Sequence, residues 1–354
     1  MGATQGRLPL YLYNGFLNCP VHVDAAFHWW QTSGMIRRTW CLSGTLIFLS
    51  FLSKAWALTP PPYPEGKLNG LQIAEQVYAV SHGLLVKNAM SRQQGKDIAM
   101  LVNRAPLERR KAGRRPIVNT FETYGNSHPR NPELESMQMA IIKSGKARGT
   151  GILFVSYADK SRPGIMSVWL PALRKIRRIN EPSYEDTWVG TNLTYGELVL
   201  RKPEDEVHEL LREDVFQDCL LAMELGPKEL NRYTRRLPGP QCGHKGKPVY
   251  VVKSSTKFEN WWYDYHISEI DKKTFAIYRT VYYKNGKKIK TITIDWQSLE
   301  QEDPRIQYPR YIYAITHKSG IDSMVYVPRG TVLLNQDMPD EFWSEDTLKK
   351  FGKR

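Results

Sequence analysis

Between residues 97 and 327 the chain runs as a succession of short β-rich stretches separated by turn residues, with little room for helices between them. The stretches are Asp97–Asn103, Pro116–Tyr124, Met137–Lys143, Gly151–Ala158, Ile165–Leu170, Arg174–Ile179, Glu206–Arg212, Asp218–Glu224, Val249–Ser255, Tyr263–Ile270, Phe275–Tyr283, Lys287–Trp296, Tyr311–Thr316 and Ser323–Val327. Parallel strands need crossovers of roughly a dozen residues or more, so connections this short predict a largely antiparallel sheet. The clearest hairpin turns at Asn285-Gly286, where both positions must accept positive φ. In its second strand Ile292, Ile294 and Trp296 share one face and Thr291, Thr293 and Asp295 the other, which predicts one apolar and one wet side. Gly151–Tyr157 does not alternate, so both of its faces are expected to be covered.

Two short helices are expected as cover. Asn69 is a suitable N-cap, Leu71, Ala74, Val77 and Tyr78 recur at three- and four-residue spacing, and Gly83 can close the C-terminus. Asp340 to Phe351 begins with acidic residues and ends with Lys349-Lys350, the order a helix dipole favours. A sheet with an apolar concave face and so few helices can hold a groove, or side chains can fill it.

The N-terminus carries the parts of a secretory signal peptide: Arg37-Arg38, an apolar run from Leu42 to Leu52, and Ala55-Trp56-Ala57. The run is shorter than the roughly 18 residues a permanent span needs and contains Ser43, Gly44, Thr45 and Ser50. The expected organisation is an upstream extension over residues 1–34, a signal peptide over 35–57 cleaved after Ala57, and a single domain over 58–354, exported to the periplasm and soluble there. Cys41 opens the apolar run rather than following it, which argues against a lipid anchor at the cleavage point.

The whole chain carries a formal charge of +14, and loss of Arg7, Arg37, Arg38, Lys54 and Asp24 with the leader would leave +11. Such a charge suits anionic surfaces, and export disfavours nucleic acid among them. The cations cluster at 109–115, 174–178 and 232–236, where they also read as solvated charges that guard strand edges. Of the cysteines, only Cys219 and Cys242 follow the leader; they can form one disulfide, or Cys219 can be buried as a small hydrophobe in the Asp218–Glu224 stretch.

No catalytic motif is present: there is no Gly-x-Ser-x-Gly, phosphate loop, His-Glu-x-x-His or Cys-x-x-Cys. No histidine pair shows metal-ligand spacing, and no metal or cofactor is expected. The one suggestive group is Trp261-Trp262-Tyr263-Asp264-Tyr265-His266, where Asp264 and His266 would share a strand face and could orient one another, unless the run is a plain aromatic ladder.

Three motifs within Lys146–Leu198 together resemble the bacterial outer membrane lipoprotein-sorting family of the wider LolA/LolB-like group, over roughly residues 70–350. They are Arg148-Gly149-Thr150-Gly151 entering an apolar strand, Val168 to Ile179 with Trp169-Leu170-Pro171 at its centre, and Trp188 to Tyr195. Asn192 stands where an aspartate is common in the family and Gly196 where an acidic residue is common, which questions a polar role for that turn. Gln217 to Lys273 looks like a subfamily extension.

The resemblance implies an incomplete antiparallel barrel whose apolar concave face takes acyl chains. It implies a periplasmic carrier of lipid or acylated lipoprotein that meets membrane surfaces transiently and works with an inner-membrane exporter of the resistance-nodulation-division (RND) type. Groove or headgroup candidates are then Arg148, Phe154, Val168, Leu170, Arg174, Arg178, Ile292, Ile294 and Trp296. Gly149, Gly151, Trp169, Pro171, Trp188, Gly190 and Tyr195 are expected to be structural. Two other readings stay open: a lipid-sensing or protein-binding module that uses the spare segment 225–246, and an envelope hydrolase that uses Asp264 and His266.

Overall fold

A computed structural model describes residues 61–111, 113–159, 161–180 and 183–352. The expected upstream extension, signal peptide and cleavage site lie outside the described residues.

Helix α1 spans Gly70–Ser81. The Asn69 side chain accepts the Gln72 backbone N–H at 2.9 Å and the Gln72 side chain accepts that of Asn69 at 3.0 Å, a reciprocal cap that supplies two donors otherwise left without partners. Gly83, at φ +65°, ends the helix.

The first run of strands is β1 (Asn88–Ser91), β2 (Ala99–Arg104), β3 (Ile117–Asn126), β4 (Leu134–Ile142), β5 (Gly151–Tyr157), β6 (Ile165–Leu170) and β7 (Lys175–Asn180), with the short α2 (Leu107–Lys111) after β2. The second run is β8 (Glu206–Val215), β9 (Pro248–Thr256), β10 (Tyr265–Asp271), β11 (Ile277–Lys284), β12 (Lys287–Ser298), β13 (Gln307–Thr316), β14 (Asp322–Tyr326) and β15 (Val332–Leu334), followed by α3 (Glu345–Gly352). All pair antiparallel in the order β7-β6-β5-β4-β3-β2-β14-β13-β12-β11-β10-β9-β8, and β1 joins β3 to β15 off this path. β7 and β8 are the two edges and do not pair with each other. The sheet is therefore an open half-cylinder, mainly β and not closed into a barrel.

Directly opposed residues share a face, so the register assigns the two sides. The inner side carries Ser254 with His266, Thr280 with Ile292, Ile294 with Ile312, Val325 with Leu101, Ala99 with Phe121, and Phe154 with Met166. The inner side is covered by α1 and by the connection from β7 to β8. On the outer side α3 packs over Met139, Ile141, Leu153 and Trp169 through Leu348 and Phe351. The two faces of β5 are thus covered as expected, but α3 and the β7–β8 connection cover them, while α1 lies over β8–β12.

Three expectations fail. Asp218–Glu224 is not a strand: it makes a single bridge, Leu220 with Gln241, and otherwise lies irregularly across the outer face. For that reason the side of β12 expected to be wet is buried. The Thr293 hydroxyl donates to the Leu221 carbonyl at 2.8 Å, and Asp295 holds Arg310 and, at 2.9 Å, His244. Nor is 225–246 spare, because Leu225 and Leu237 pack on the core and Arg236 pairs with Asp97. A disulfide between Cys219 and Cys242 ties the two ends of this cover together.

Candidate functional site

Beneath α1 the inner face forms a half-open cavity of about 160 Å³. Val77 of α1 and Val252, Ile270, Ile277, Ile292, Ile294, Trp296 and Ile312 of the sheet form its apolar wall. Period-2 alternation places the sheet residues there, except Ile277, which a bulge opposite Glu269-Ile270 turns inward out of phase with Thr280 and Tyr282. The Trp296 indole N–H donates to the Ile277 carbonyl at 3.0 Å, so the ring is buried with its polar atom satisfied.

The rest of the inner face is filled by residues 184–202, which act as a plug. Trp188, Val189, Leu193 and Leu198 pack among Leu101, Phe121, Ile142, Ile292, Ala314 and Val325, and Leu200 packs on Phe154 and Met166. Trp188 meets Phe121 edge to face at 5.6 Å. Polar contacts anchor the plug along its length, through Asn192 and Glu197 and, at its end, through Val199, Arg201 and Lys202. The Asn192 amide nitrogen lies 3.1–3.2 Å from the Ala314 and Ile321 carbonyls and the Thr316 hydroxyl, and Glu197 makes a buried ion pair with Lys290 at 2.8 Å. An aspartate at 192 would turn a carboxylate toward two carbonyl oxygens, so the asparagine gives this turn a polar role rather than removing one. Val189 sits at φ +47°, a conformation that costs a β-branched residue about 1–3 kcal/mol.

One end of the cavity is polar. Glu206 accepts from the Tyr263 hydroxyl at 2.8 Å, lies 3.1 Å from His266 Nε2 and pairs with Arg201 at 3.6 Å. Arg201 also donates to the Tyr263 and Tyr282 hydroxyls at 3.2 and 3.1 Å. Burial works against ionisation of Glu206, but His266, Arg201 and Tyr263 outweigh it and hold the carboxyl well below the usual carboxylate range. Burial pushes Tyr263 up to about 12 and holds His266 below the ordinary imidazole value, although Glu206 pulls the other way. The end of the cavity is therefore a compensated ion pair beside a neutral imidazole. Outside it, an open cleft of about 640 Å³ shares Tyr78, Lys202, Pro203, Glu206 and His208 with the cavity.

Of the groove candidates, Ile292, Ile294 and Trp296 line the cavity. Phe154 and Val168 lie on the same face but under the plug, and Leu170 follows them in register at the β6 edge. The headgroup candidates do not converge on the cavity. Arg178 is on the outer side, where Nε and Nη2 bond the Glu345 carboxylate at 2.6 and 2.7 Å and so hold α3 to the sheet. Arg148 is exposed on the turn before β5 and Arg174 on the β6–β7 turn at φ +50°. The Asp264–His266 pairing does not form: Asp264 lies ahead of β10 and bonds Lys284 at 2.9 Å, whereas His266 faces Glu206.

The motif residues have packing roles. A Cβ on Gly149 would stand 2.9 Å from the Gly352 carbonyl, and one on Gly151 the same distance from Leu348, so both glycines admit α3. Trp169 is buried under α3, Pro171 ends β6 beside Gly149, Gly190 turns at φ +73°, and Tyr195 packs with Phe154 and Leu200. Sequence reasoning missed Arg201, Glu206, His208, Ser254, Ser268 and Thr280. For Ser254 and Ser268 the signal was a polar residue in phase with Val252 on β9 and Ile270 on β10; Arg201 lies outside any strand and had none.

The fold of the described residues is similar to that of known structures. An outer membrane lipoprotein-sorting protein domain from Vibrio parahaemolyticus superposes with a TM-score of 0.56 at 14% identity, covering 79% of this chain and 98% of the other. The chain has a LolA-like fold. A DUF1329 family protein from Desulfovibrio piger has a TM-score of 0.55 at 13% identity, covering 78% of this chain and 98% of that one. A family model described as an uncharacterized protein matches residues 134–237, from β4 through the plug and onto the outer cover. A search of curated proteins finds no match. In this LolA-like frame the cavity lies on the concave face, the plug crosses it, and the disulfide-bonded cover adds a layer behind it.

Proposed function

We propose that this protein binds an acyl chain of a lipid or lipoprotein in the inner cavity and carries it through the periplasm, between the inner and outer membranes. The observation that carries the reading is the cavity itself: an apolar chamber on the concave face, covered by α1, that shares Lys202 and Pro203 with a larger cleft. An apolar cavity of roughly 150 Å³ accepts a molecule of about six carbons. At about 0.8 kcal/mol per buried methylene, six carbons gain on the order of 5 kcal/mol without any covalent step. A longer chain would continue into the cleft or displace the plug, whose Val189 is strained. Export by the N-terminal signal, contact with membrane surfaces and loading by an RND-type exporter belong to the same reading.

Native mass spectrometry with lipid extraction, on protein exported to a periplasm and purified without detergent, tests it. Co-purified phospholipid or acylated peptide is the expected result. A clean apo mass that persists after incubation with envelope lipids would reject the carrier and favour a protein-binding module.

A further inference from the structure

Two histidines at the polar end of the cavity fix the direction of two hydroxyl protons. His266 Nε2 faces the ionised Glu206 carboxylate, which can only accept, so a neutral His266 carries its proton on Nε2. Nδ1 must then accept from the Ser268 hydroxyl at 3.2 Å, and the Ser268 oxygen accepts from Thr280 at 2.9 Å. His208 repeats the arrangement: Nε2 lies 2.9 Å from the Pro203 carbonyl, another pure acceptor, so Nδ1 accepts from Ser254 at 2.8 Å. Ser254 and Thr280 both line the cavity and both are buried. Each has turned its only proton into the protein, leaving lone pairs on the wall. Tyr282, which accepts from Arg201, keeps a proton of its own on the same wall.

We infer that the cavity selects a cargo end bearing a neutral group that both donates and accepts hydrogen bonds, a hydroxyl or an amide, over one ending in a carboxylate or in an acceptor alone. The inference rests on the cavity being the cargo site. A hydroxyl or amide N–H supplies the donor that Ser254 and Thr280 lack and can accept from Tyr282. A carboxylate would meet four acceptor lone pairs and the charge of Glu206, while the two cations on the lining are already paired, Arg201 with Glu206 and Lys202 with Glu135. A purely apolar end would leave two buried hydroxyl acceptors without partners.

Titration of the full chain, followed by NMR, with 1-hexanol, 1-methoxypentane and hexanoate tests this, because the alcohol and the ether have the same number of heavy atoms. The alcohol is expected to bind about five-fold tighter than the ether, and hexanoate weakest of the three. Ser254→Ala and Thr280→Val, made separately, should each narrow the alcohol-to-ether ratio, and the wild-type comparison decides the matter if either variant misfolds. An ether or carboxylate that binds as tightly as the alcohol overturns the inference and leaves the apolar cavity standing. Failure of all three ligands to bind overturns the cavity reading together with it.

Discussion

Gly196 lies against Trp262, so that a Cβ on the glycine would stand 2.8 Å from the indole ring and 3.0 Å from the Tyr184 carbonyl oxygen. The glycine belongs to the plug and the tryptophan to the β9–β10 connection, and the close approach shows why an acidic residue is not accommodated at 196. Gly196→Ala is expected to lower stability by about 1–3 kcal/mol through overpacking. Trp262→Ala in the same chain should return part of that loss, which a double-mutant cycle by urea denaturation would measure. Strictly additive losses would show that the two side chains do not limit each other.

A charge inside the cavity should expel cargo. Ile294→Glu places a carboxylate on the apolar wall, whereas Ile117→Glu adds one to a residue that is 50% exposed on β3 and lines neither cavity nor cleft. The lipid-bound fraction in native mass spectra is expected to fall about ten-fold or more for the first and to change little for the second. Thr293 does not serve as an exposed control, since its hydroxyl is buried against Leu221.

The outer cover depends on its disulfide. Cys219 and Cys242 are 23 residues apart, and the chain-entropy estimate for a loop of that size is about 3 kcal/mol. Replacing both cysteines by alanine should lower the denaturation free energy by about that amount, and adding reductant to the wild type should reproduce the effect. A stability indifferent to both would mean that Phe216, Leu220 and Met223 hold the cover without the covalent tie.

His82 links α1 to the plug and makes stability pH-dependent. Its ring stacks on Tyr78 at 3.9 Å, with Nδ1 3.0 Å from the Tyr78 carbonyl and Nε2 3.3 Å from that of Val199. Burial lowers its pKa to about 4, against the help of those two carbonyls and with Lys202 and Arg201 adding to the fall. The unfolded chain therefore binds this proton more readily than the folded one. The contribution is complete above the ordinary imidazole value near 6.5 and is lost as pH falls toward 4. In His82→Phe the slope of stability against pH between about 6.5 and 4 should be shallower than in wild type, though not flat, because burial also lowers His208, His266 and His317. An unchanged slope would assign the pH dependence to groups other than His82.

The antiparallel sheet, the Asn69-capped helix and the Asn285-Gly286 hairpin were legible in the chain because each is set by neighbours within a few residues: a cap and its third residue, an alternation, a turn that needs positive φ at two positions. The inward set of Ile292, Ile294 and Trp296 was legible for the same reason. What covers each face was not. Thr293 and Asp295 read as solvent-facing by alternation and are buried only because an irregular segment more than fifty residues earlier folds back over them. Strands β1 and β15 went unseen because they are short and exist through pairing with distant partners. His266 was singled out with Asp264, two positions away, yet its partner is Glu206, sixty residues earlier, brought opposite by the β8-β9-β10 ladder. Local spacing sets which elements form and which side of each is apolar. The identity of the cavity, its plug and its polar end comes from contacts between residues far apart in the chain, whose energies appear only once the sheet has brought them together.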